Sequence, residues 1–336
     1  MRVLVTGGAG FIGSAVLRAL AAGGHRSTSY DLATDPRDDI VDVDRLRAAT
    51  AGQDAIIHLA AKVGLGVDLS DLDGYARHND LGTAAVLRVA AERSIGRVVL
   101  ASSMVVYGEG TAQCPQHGTV PVPPRTEDDL ARGMFEPRCP RCAEPLRPGL
   151  VAEDTGFDPR NVYAATKVQT EQLAAIWARE SGGTAVGLRY HNVYGPGLPR
   201  DTPYAGVAAI FRSALLAGRA PSVFEDGGQR RDFVHVDDVA AATVAALQAP
   251  GLTGYTALNI GSGTITTIGE VAARMAMIMN GPAPVITGHY RLGDVRHITA
   301  DSSAARRLLD WRPQVTLEQG LATLDQGLDQ GPAGLA

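Results

Sequence analysis

Residues 3–13 join a short apolar run to a glycine-rich turn and the opening of a helix: Val3-Leu4-Val5-Thr6, then Gly7-Gly8-Ala9-Gly10-Phe11-Ile12-Gly13. Few local patterns restrict a fold as tightly. Glycines let the backbone turn sharply and approach a pyrophosphate, whose charge then meets the free N–H groups of the helix N-terminus. Gly7, Gly10, Phe11, Ile12 and Gly13 are therefore candidate dinucleotide contacts, the plain alternative being a tight strand-to-helix turn. Asp31 ends the next strand, 18 residues after Gly13, with Leu32 beside it. A carboxylate there takes both ribose hydroxyls of adenosine and repels a 2′-phosphate, which favours NAD over NADP. Arg37 is the opposing charge nearby; its ordinary reading is a solvated loop residue.

Short strands at Val3–Thr6, Ser27–Asp31, Ala55–His58 and Val98–Ser102 alternate with helical spacing over Ile12–Ala22, Val43–Ala49 and Asn79–Arg93. Strand–helix–strand alternation predicts an α/β fold with a doubly wound parallel (Rossmann) sheet. The second strand is unusually polar. Periodicity then lapses over 109–159, resumes in a long helix at Asn161–Glu180 and a strand at Thr184–Arg189, and continues with helices at Gly206–Leu216, Asp237–Leu247 and Ile268–Met279. The expected division is an NAD-binding domain over 1–189, carrying the 109–159 insertion, and a smaller C-terminal substrate lobe over 190–336, with 236–262 returning to the first domain. Only the last few Gly/Pro/Ala residues form a low-complexity tail.

With 45% hydrophobic and 20% charged residues, the chain has enough apolar content for a sizeable core. A formal charge of -5 and pI near 5.9 give no basic footprint for nucleic acid. No apolar run approaches the roughly 18 residues of a membrane helix. The chain opens directly into Met1-Arg2-Val3, so a cytoplasmic protein with reduced cysteines is expected.

Ser103 leaves the strand at 98–102, where open α/β sheets place ligands. About sixty residues on, Tyr163 and Lys167 stand four apart on a helix, so the phenol and ammonium share a face. Alone such a pair reads as surface; joined to the glycine loop and the serine it reads as a catalytic set. A tyrosine base near neutral pH must lose about three units from its reference pKa, roughly 4 kcal/mol. One cation about 4 Å away at an effective dielectric near 20 supplies about that much.

The insertion holds nine of the nineteen prolines and all three cysteines, with little apolar content to fold it. Cys114 and His117 form a CxxH pair, and Cys139 and Cys142 a CxxC pair. Two such knuckles offer four tetrahedral ligands and suit a structural zinc ion, the alternative being a loop with incidental thiols.

Taken together, the chain resembles the extended short-chain dehydrogenase/reductase family of NAD-dependent nucleotide-sugar epimerases and dehydratases. The resemblance spans nearly the whole chain: the glycine loop, Asp42-Val43, His58-Leu59-Ala60-Ala61, Asn79, the Ser103/Tyr163/Lys167 set, the segments 189–195 and 231–236, and Arg291-Leu292-Gly293-Asp294. It implies that Asp42 and Val43 touch adenine and that Leu59, Ala60 and Ala61 line the pyrophosphate. Asn79 and Lys167 would hold the nicotinamide end, with Ala101, Tyr190, Asn192 and Val193 also toward the cofactor. Ser103, Asn192, Arg231, Arg291 and Asp294 would face a nucleotide-sugar, the arginines its diphosphate and base-ribose region. It also implies a homodimer paired through the helices 79–93 and 161–180.

Related 4,6-dehydratases carry an Asp-Glu pair just after the Ser/Thr; here Met104 and Val105 stand there, and neither can exchange a proton. That leaves 4-epimerisation through a transient 4-keto sugar as the simplest reading. The insertion, Ala61-Lys62-Val63-Gly64-Leu65-Gly66 and the segment 224–231 resemble the branch acting on dTDP-L-rhamnose, although Lys62 replaces the small residue expected there. A dTDP-deoxyhexose is thus the expected substrate. A GDP- or UDP-sugar epimerase, a keto-sugar reductase and a non-catalytic NAD sensor are the alternatives.

Overall fold

The computed structural model describes residues 1–64, 69–199 and 206–324. Leu65, Gly66 and the Gly/Pro/Ala tail lie outside the described residues. The first half runs β1 (Arg2–Thr6), α1 (Phe11–Ala22), β2 (Arg26–Tyr30), α2 (Val43–Ala49), β3 (Ala55–His58), α3 (Leu72–Tyr75), α4 (Gly82–Glu92) and β4 (Arg97–Ser103). The helix expected from Asn79 begins earlier, at Leu72, and passes through a π-helical turn at 76–81 that buries Asn79. The polar β2 is explained by its place: it is an edge strand and only Tyr30 within it is buried. It also ends one residue before Asp31, which leaves that carboxylate free of the ladder.

The insertion folds as β5 (Ala112–Cys114), β6 (Gly118–Val120), α5 (Glu127–Ala131) and β7 (Arg147–Pro148), the strands forming a small antiparallel sheet. It has a core of its own, in which Ala112, Val120, Val122 and Leu146 pack with Cys114 and Cys139. That is more apolar packing than the composition suggested, and two of its members are thiols.

Then follow α6 (Val162–Ser181), β8 (Thr184–Tyr190), β9 (Asn192–Tyr194), α7 (Val207–Leu216), β10 (Ser222–Val223), β11 (Arg230–His235), α8 (Val236–Gln248), β12 (Gly254–Ile260), β13 (Ile265–Thr267), α9 (Ile268–Ile278), β14 (Val285–Ile286), β15 (His297–Ile298), α10 (Ser303–Leu309) and α11 (Leu317–Ala322). The main sheet has six parallel strands in the order β12-β8-β4-β3-β1-β2. One face packs on α1 and α8 through Val5, Val16, Leu20, Val186 and Val239; the other packs on α4 and α6 through Leu4, Ile56, Val86 and Ala174. Burial on both faces is why these strands read as continuous apolar runs. The chain leaves this sheet after β8, builds β9 and β11, and returns with α8 and β12. β9, β13 and β15 join β11 in a smaller sheet beside a separate core of Phe211, Phe233, Val271 and Met275. Among the described residues, no helix is long and apolar enough to cross a membrane.

Candidate active site and metal centre

A cavity of about 810 Å³ opens at the carboxyl ends of β1, β3, β4 and β8, a volume within the range of small-molecule sites. Gly7, Gly10, Phe11, Ile12 and Gly13 line one end. Gly7 has φ +73°, and a Cβ there would sit 2.6 Å from the Ala60 amide nitrogen; a Cβ on Gly13 would sit 2.0 Å from the Gly7 carbonyl oxygen. The glycines are thus required by close backbone approach, and they leave the start of α1 open to a diphosphate. This cradle fits a dinucleotide.

Asp31 and Leu32 line the same end. The Asp31 carboxylate accepts from the Ala9 amide at 3.0 Å and the Ala33 amide at 2.8 Å. Arg37 is held on Asp35, Nη2 to Oδ2 at 2.8 Å, which engages the one nearby cation the sequence had set against NAD. Asp42 and Val43 do not line the cavity: Asp42 caps α2 by accepting from the Arg45 amide, and Val43 packs on the core. Asp38, Asp39 and Ile40 stand at the cavity instead. Residues of the same type repeat there every three positions, so the pattern alone did not distinguish the pairs.

Leu59, Ala60, Ala61, Ala101, Tyr190 and Val193 line the cavity, with Ser103, Tyr163 and Lys167. Asn79 does not. Its carboxamide accepts from the Lys62 amide at 2.7 Å, donates to the Lys62 carbonyl at 2.9 Å and donates to Thr166 at 2.9 Å. It ties the 60–62 loop to the turn of α6 between Tyr163 and Lys167. Lys62, Val63, His78, Ser102, His191 and Pro199 also reach the cavity; Lys62, Val63 and His191 lie within segments that carry the resemblance but were given no contact role, and His78, Ser102 and Pro199 carried no signal of their own.

Lys167 lies 5.7 Å from the Tyr163 ring centre and donates to the Ala101 carbonyl at 2.8 Å. Burial pushes the Lys167 amine down to about 8, against the opposing charge of Glu171. Burial likewise pushes the Tyr163 phenol up to about 12, a rise only partly offset by a hydrogen bond with Ser103. In the free protein the phenol therefore holds its proton firmly. Met104 begins a 3₁₀ turn and packs with Val106, Tyr107 and Val151; neither it nor Val105, the two residues directly after Ser103, is ionisable.

Arg231, Arg291 and Asp294 lie outside this cavity, in the smaller lobe. The Arg231 guanidinium donates to the carbonyls of Val295 at 2.6 Å and Arg296 at 2.9 Å. Burial pushes it down from the ordinary arginine range, with the Asp294 charge opposing. Arg291 is exposed and lies 5.3 Å over the Phe224 ring. The Asn192 side-chain carboxamide oxygen, Oδ1, is buried without a hydrogen-bond partner among the described residues, and Asn192 pairs with Phe233 on the strand that carries Arg231.

The insertion brings Cys114, His117, Cys139 and Cys142 together, with all four ligand atoms within 4.8 Å of one another. Cys114 Sγ stands 3.4 Å from His117 Nδ1 and 3.6 Å from Cys142 Sγ; Cys139 Sγ stands 3.6 Å from His117 Nδ1. A tetrahedral zinc with bonds of about 2.3 Å to sulfur and about 2.0 Å to nitrogen has ligand–ligand edges of about 3.5–3.8 Å. The donor set and spacing fit that ion. Burial works against ionisation of Cys139, but backbone amides of Arg141 and Cys142 hydrogen-bond its sulfur and bring it down to about 6.

The NAD dependent epimerase/dehydratase family matches residues 3–144 and 139–261. A dTDP-L-rhamnose 4-epimerase of Burkholderia thailandensis is 33% identical, covering 98% of this chain and 95% of that protein. Two solved structures superpose well. A UDP-glucose 4-epimerase of Thermotoga maritima with UDP-glucose has TM-score 0.78 at 28% identity, over 97% of this chain and 98% of that one. A Thermus thermophilus UDP-glucose 4-epimerase complex with NAD has TM-score 0.76 at 28% identity, with the same coverage.

Proposed function

Because the chain belongs to the NAD-dependent epimerase/dehydratase family, we propose that this nucleotide-sugar epimerase, an isomerase, inverts C4 of a dTDP-deoxyhexose such as dTDP-L-rhamnose. The observation that carries the reading is the wall of the cavity where Ser103, Tyr163 and Lys167 converge while Met104 and Val105 leave no acid–base pair for expelling water. The insertion and the likeness to the dTDP-L-rhamnose 4-epimerase support the choice of sugar. A UDP-sugar is the second reading, supported by the likeness to the two UDP-glucose 4-epimerases.

Gly7, Gly10 and Gly13 would admit the cofactor's diphosphate, Asp31 its adenosine ribose, and Leu59, Ala60, Ala61, Tyr190 and Val193 the remaining length. Bound NAD supplies the hydride acceptor and donor. Tyr163 takes the proton from the sugar C4 hydroxyl and later returns it, and Ser103 hydrogen-bonds that same oxygen. Lys167, charged at neutral pH, favours the phenolate. Bringing the phenol from about 12 to near neutrality needs roughly 7 kcal/mol, more than the single cation considered above supplies. The positive nicotinamide ring would contribute the rest.

Asn192, Arg231, Arg291 and Asp294 would hold the nucleotide-sugar from the smaller lobe. Cys114, His117, Cys139 and Cys142 would bind one structural zinc ion. A cytoplasmic homodimer completes the reading: Leu81 and Ile176, on the proposed interface helices, are 53% and 48% exposed. The test is incubation of the purified protein with dTDP-, UDP- and GDP-sugars, following epimers by NMR. Interconversion of dTDP-L-rhamnose and dTDP-6-deoxy-L-talose is expected; turnover of none sets the reading aside.

A further inference from the structure

The insertion is fastened to the rest of the molecule by more than its two ends. Three of its side chains cross to the smaller lobe and grip one short segment, residues 294–297. Arg125, whose side chain is 4% exposed, donates from Nη1 to Glu225 Oε1 at 2.8 Å and from Nη2 to the Asp294 carbonyl at 2.6 Å. Glu136 accepts from Arg296 Nη2 at 2.7 Å on one oxygen and meets His297 Nε2 at 2.7 Å with the other. Glu109 Oε2 accepts from the Arg296 backbone N–H at 3.0 Å.

Glu225 sits at the centre of this clamp. One of its oxygens holds Arg125, the other Arg296 Nη1 at 2.7 Å, and its amide donates to the His289 carbonyl at 2.7 Å. Arg231 also donates to the carbonyls of Val295 and Arg296. Buried, charge-assisted bonds of this kind fix geometry, because each group stranded by loss of a partner has no solvent to turn to. Glu225 at His289 and the insertion at 294–297 thus hold both ends of the segment that carries Arg291 and Asp294.

We propose that Arg125 is a positioning residue for the nucleotide end of the substrate. By holding the Asp294 carbonyl and Glu225 together, it sets where Arg291 and Asp294 stand, and makes nucleotide-sugar affinity depend on an insertion that does not touch the reacting carbon. The proposal rests on the assignment of Arg291 and Asp294 to the substrate made above. Its signature is a split in kinetics: nucleotide-sugar binding weakens, while Ser103, Tyr163, Lys167 and the cofactor cradle are left in place.

The experiment compares wild type with Arg125→Met and Arg125→Lys, using dTDP and UDP as binding probes, turnover of the sugar nucleotide, cofactor content and amide hydrogen exchange. Arg125→Met is expected to raise KM and the probe Kd about tenfold, a change of about 1.4 kcal/mol. Its kcat should stay within about twofold, its NAD content should be unchanged, and amides in 289–297 should exchange faster. Arg125→Lys, which keeps the charge but loses the planar fork, should fall between. If Arg125→Met fails to fold, Glu136→Gln tests the same clamp from its more exposed rim and should also raise KM. Probe affinity equal to wild type in a folded variant overturns the proposal. So does a joint loss of kcat and bound NAD, which would mean that the main sheet had been disturbed. A wild type that binds neither probe overturns the functional reading itself.

Discussion

Arg189 meets Glu171 side-on, Nη2 to Oε2 at 2.7 Å and Nε to Oε1 at 2.9 Å, where neither side chain is more than 3% exposed. Glu171 lies one helical turn beyond Lys167 on α6, and Arg189 is in β8. Ser102, beside Ser103 on β4, donates to the same carboxylate. The pair therefore fastens the helix carrying Tyr163 and Lys167 to the strand ends that face the cavity. Glu171→Leu strands a buried guanidinium and should cost about 3–5 kcal/mol, whereas Glu171→Leu combined with Arg189→Met should recover much of that loss. Urea denaturation of the three proteins checks it.

Lys167 gives a pH signature. Its folded pKa is near 8 against a reference of 10.5. Below pH 8 the buried ammonium is carried at full cost. Between 8 and 10.5 the unfolded chain still binds a proton that the folded protein has released, so stability rises with pH. Lys167→Met lacks this dependence. The stability gap between variant and wild type should shift in favour of the wild type by about 3 kcal/mol across that window, as read from denaturation midpoints at pH 7, 9 and 10.5.

Tyr163→Phe should remove the proton transfer and leave the cradle intact. Turnover is expected to fall about 10²–10⁴-fold with NAD retained, measured by NMR for epimer formation and by absorbance for cofactor. Residual activity above about one part in a hundred would assign the base elsewhere.

Elemental analysis should find one zinc ion per chain. Four protein ligands leave no open coordination position, so the metal's effect should be on folding rather than on hydride transfer. Chelation should speed proteolysis within 121–147 and spare bound NAD. Cys142→Ser should reproduce the effect without chelator.

NAD should bind at least about tenfold more tightly than NADP, because a 2′-phosphate would be placed against the Asp31 carboxylate. Asp31→Asn should narrow the ratio. Competitive titration against a fluorescent NAD analogue measures both proteins; equal affinities in the wild type would contradict the role given to Asp31.

Local periodicity made the parallel sheet, the glycine loop and the Tyr163/Lys167 face legible in the sequence, since each depends on neighbours a few residues apart. The Cys/His spacing likewise pointed to Cys114, His117, Cys139 and Cys142 as one group, and their four ligand atoms lie within 4.8 Å of one another. Other features depend on which distant segments meet. Whether Asp39 or Asp42 faces the cavity follows from where α2 is capped, and Asn79 turns away because a π-helical turn aims it at the Lys62 backbone. The Arg125–Glu225 pair spans a separation of 100 residues, and nothing local in either segment specifies the other. Tertiary packing decided these contacts because a buried charge is settled by the partner it meets, not by its neighbours in the chain.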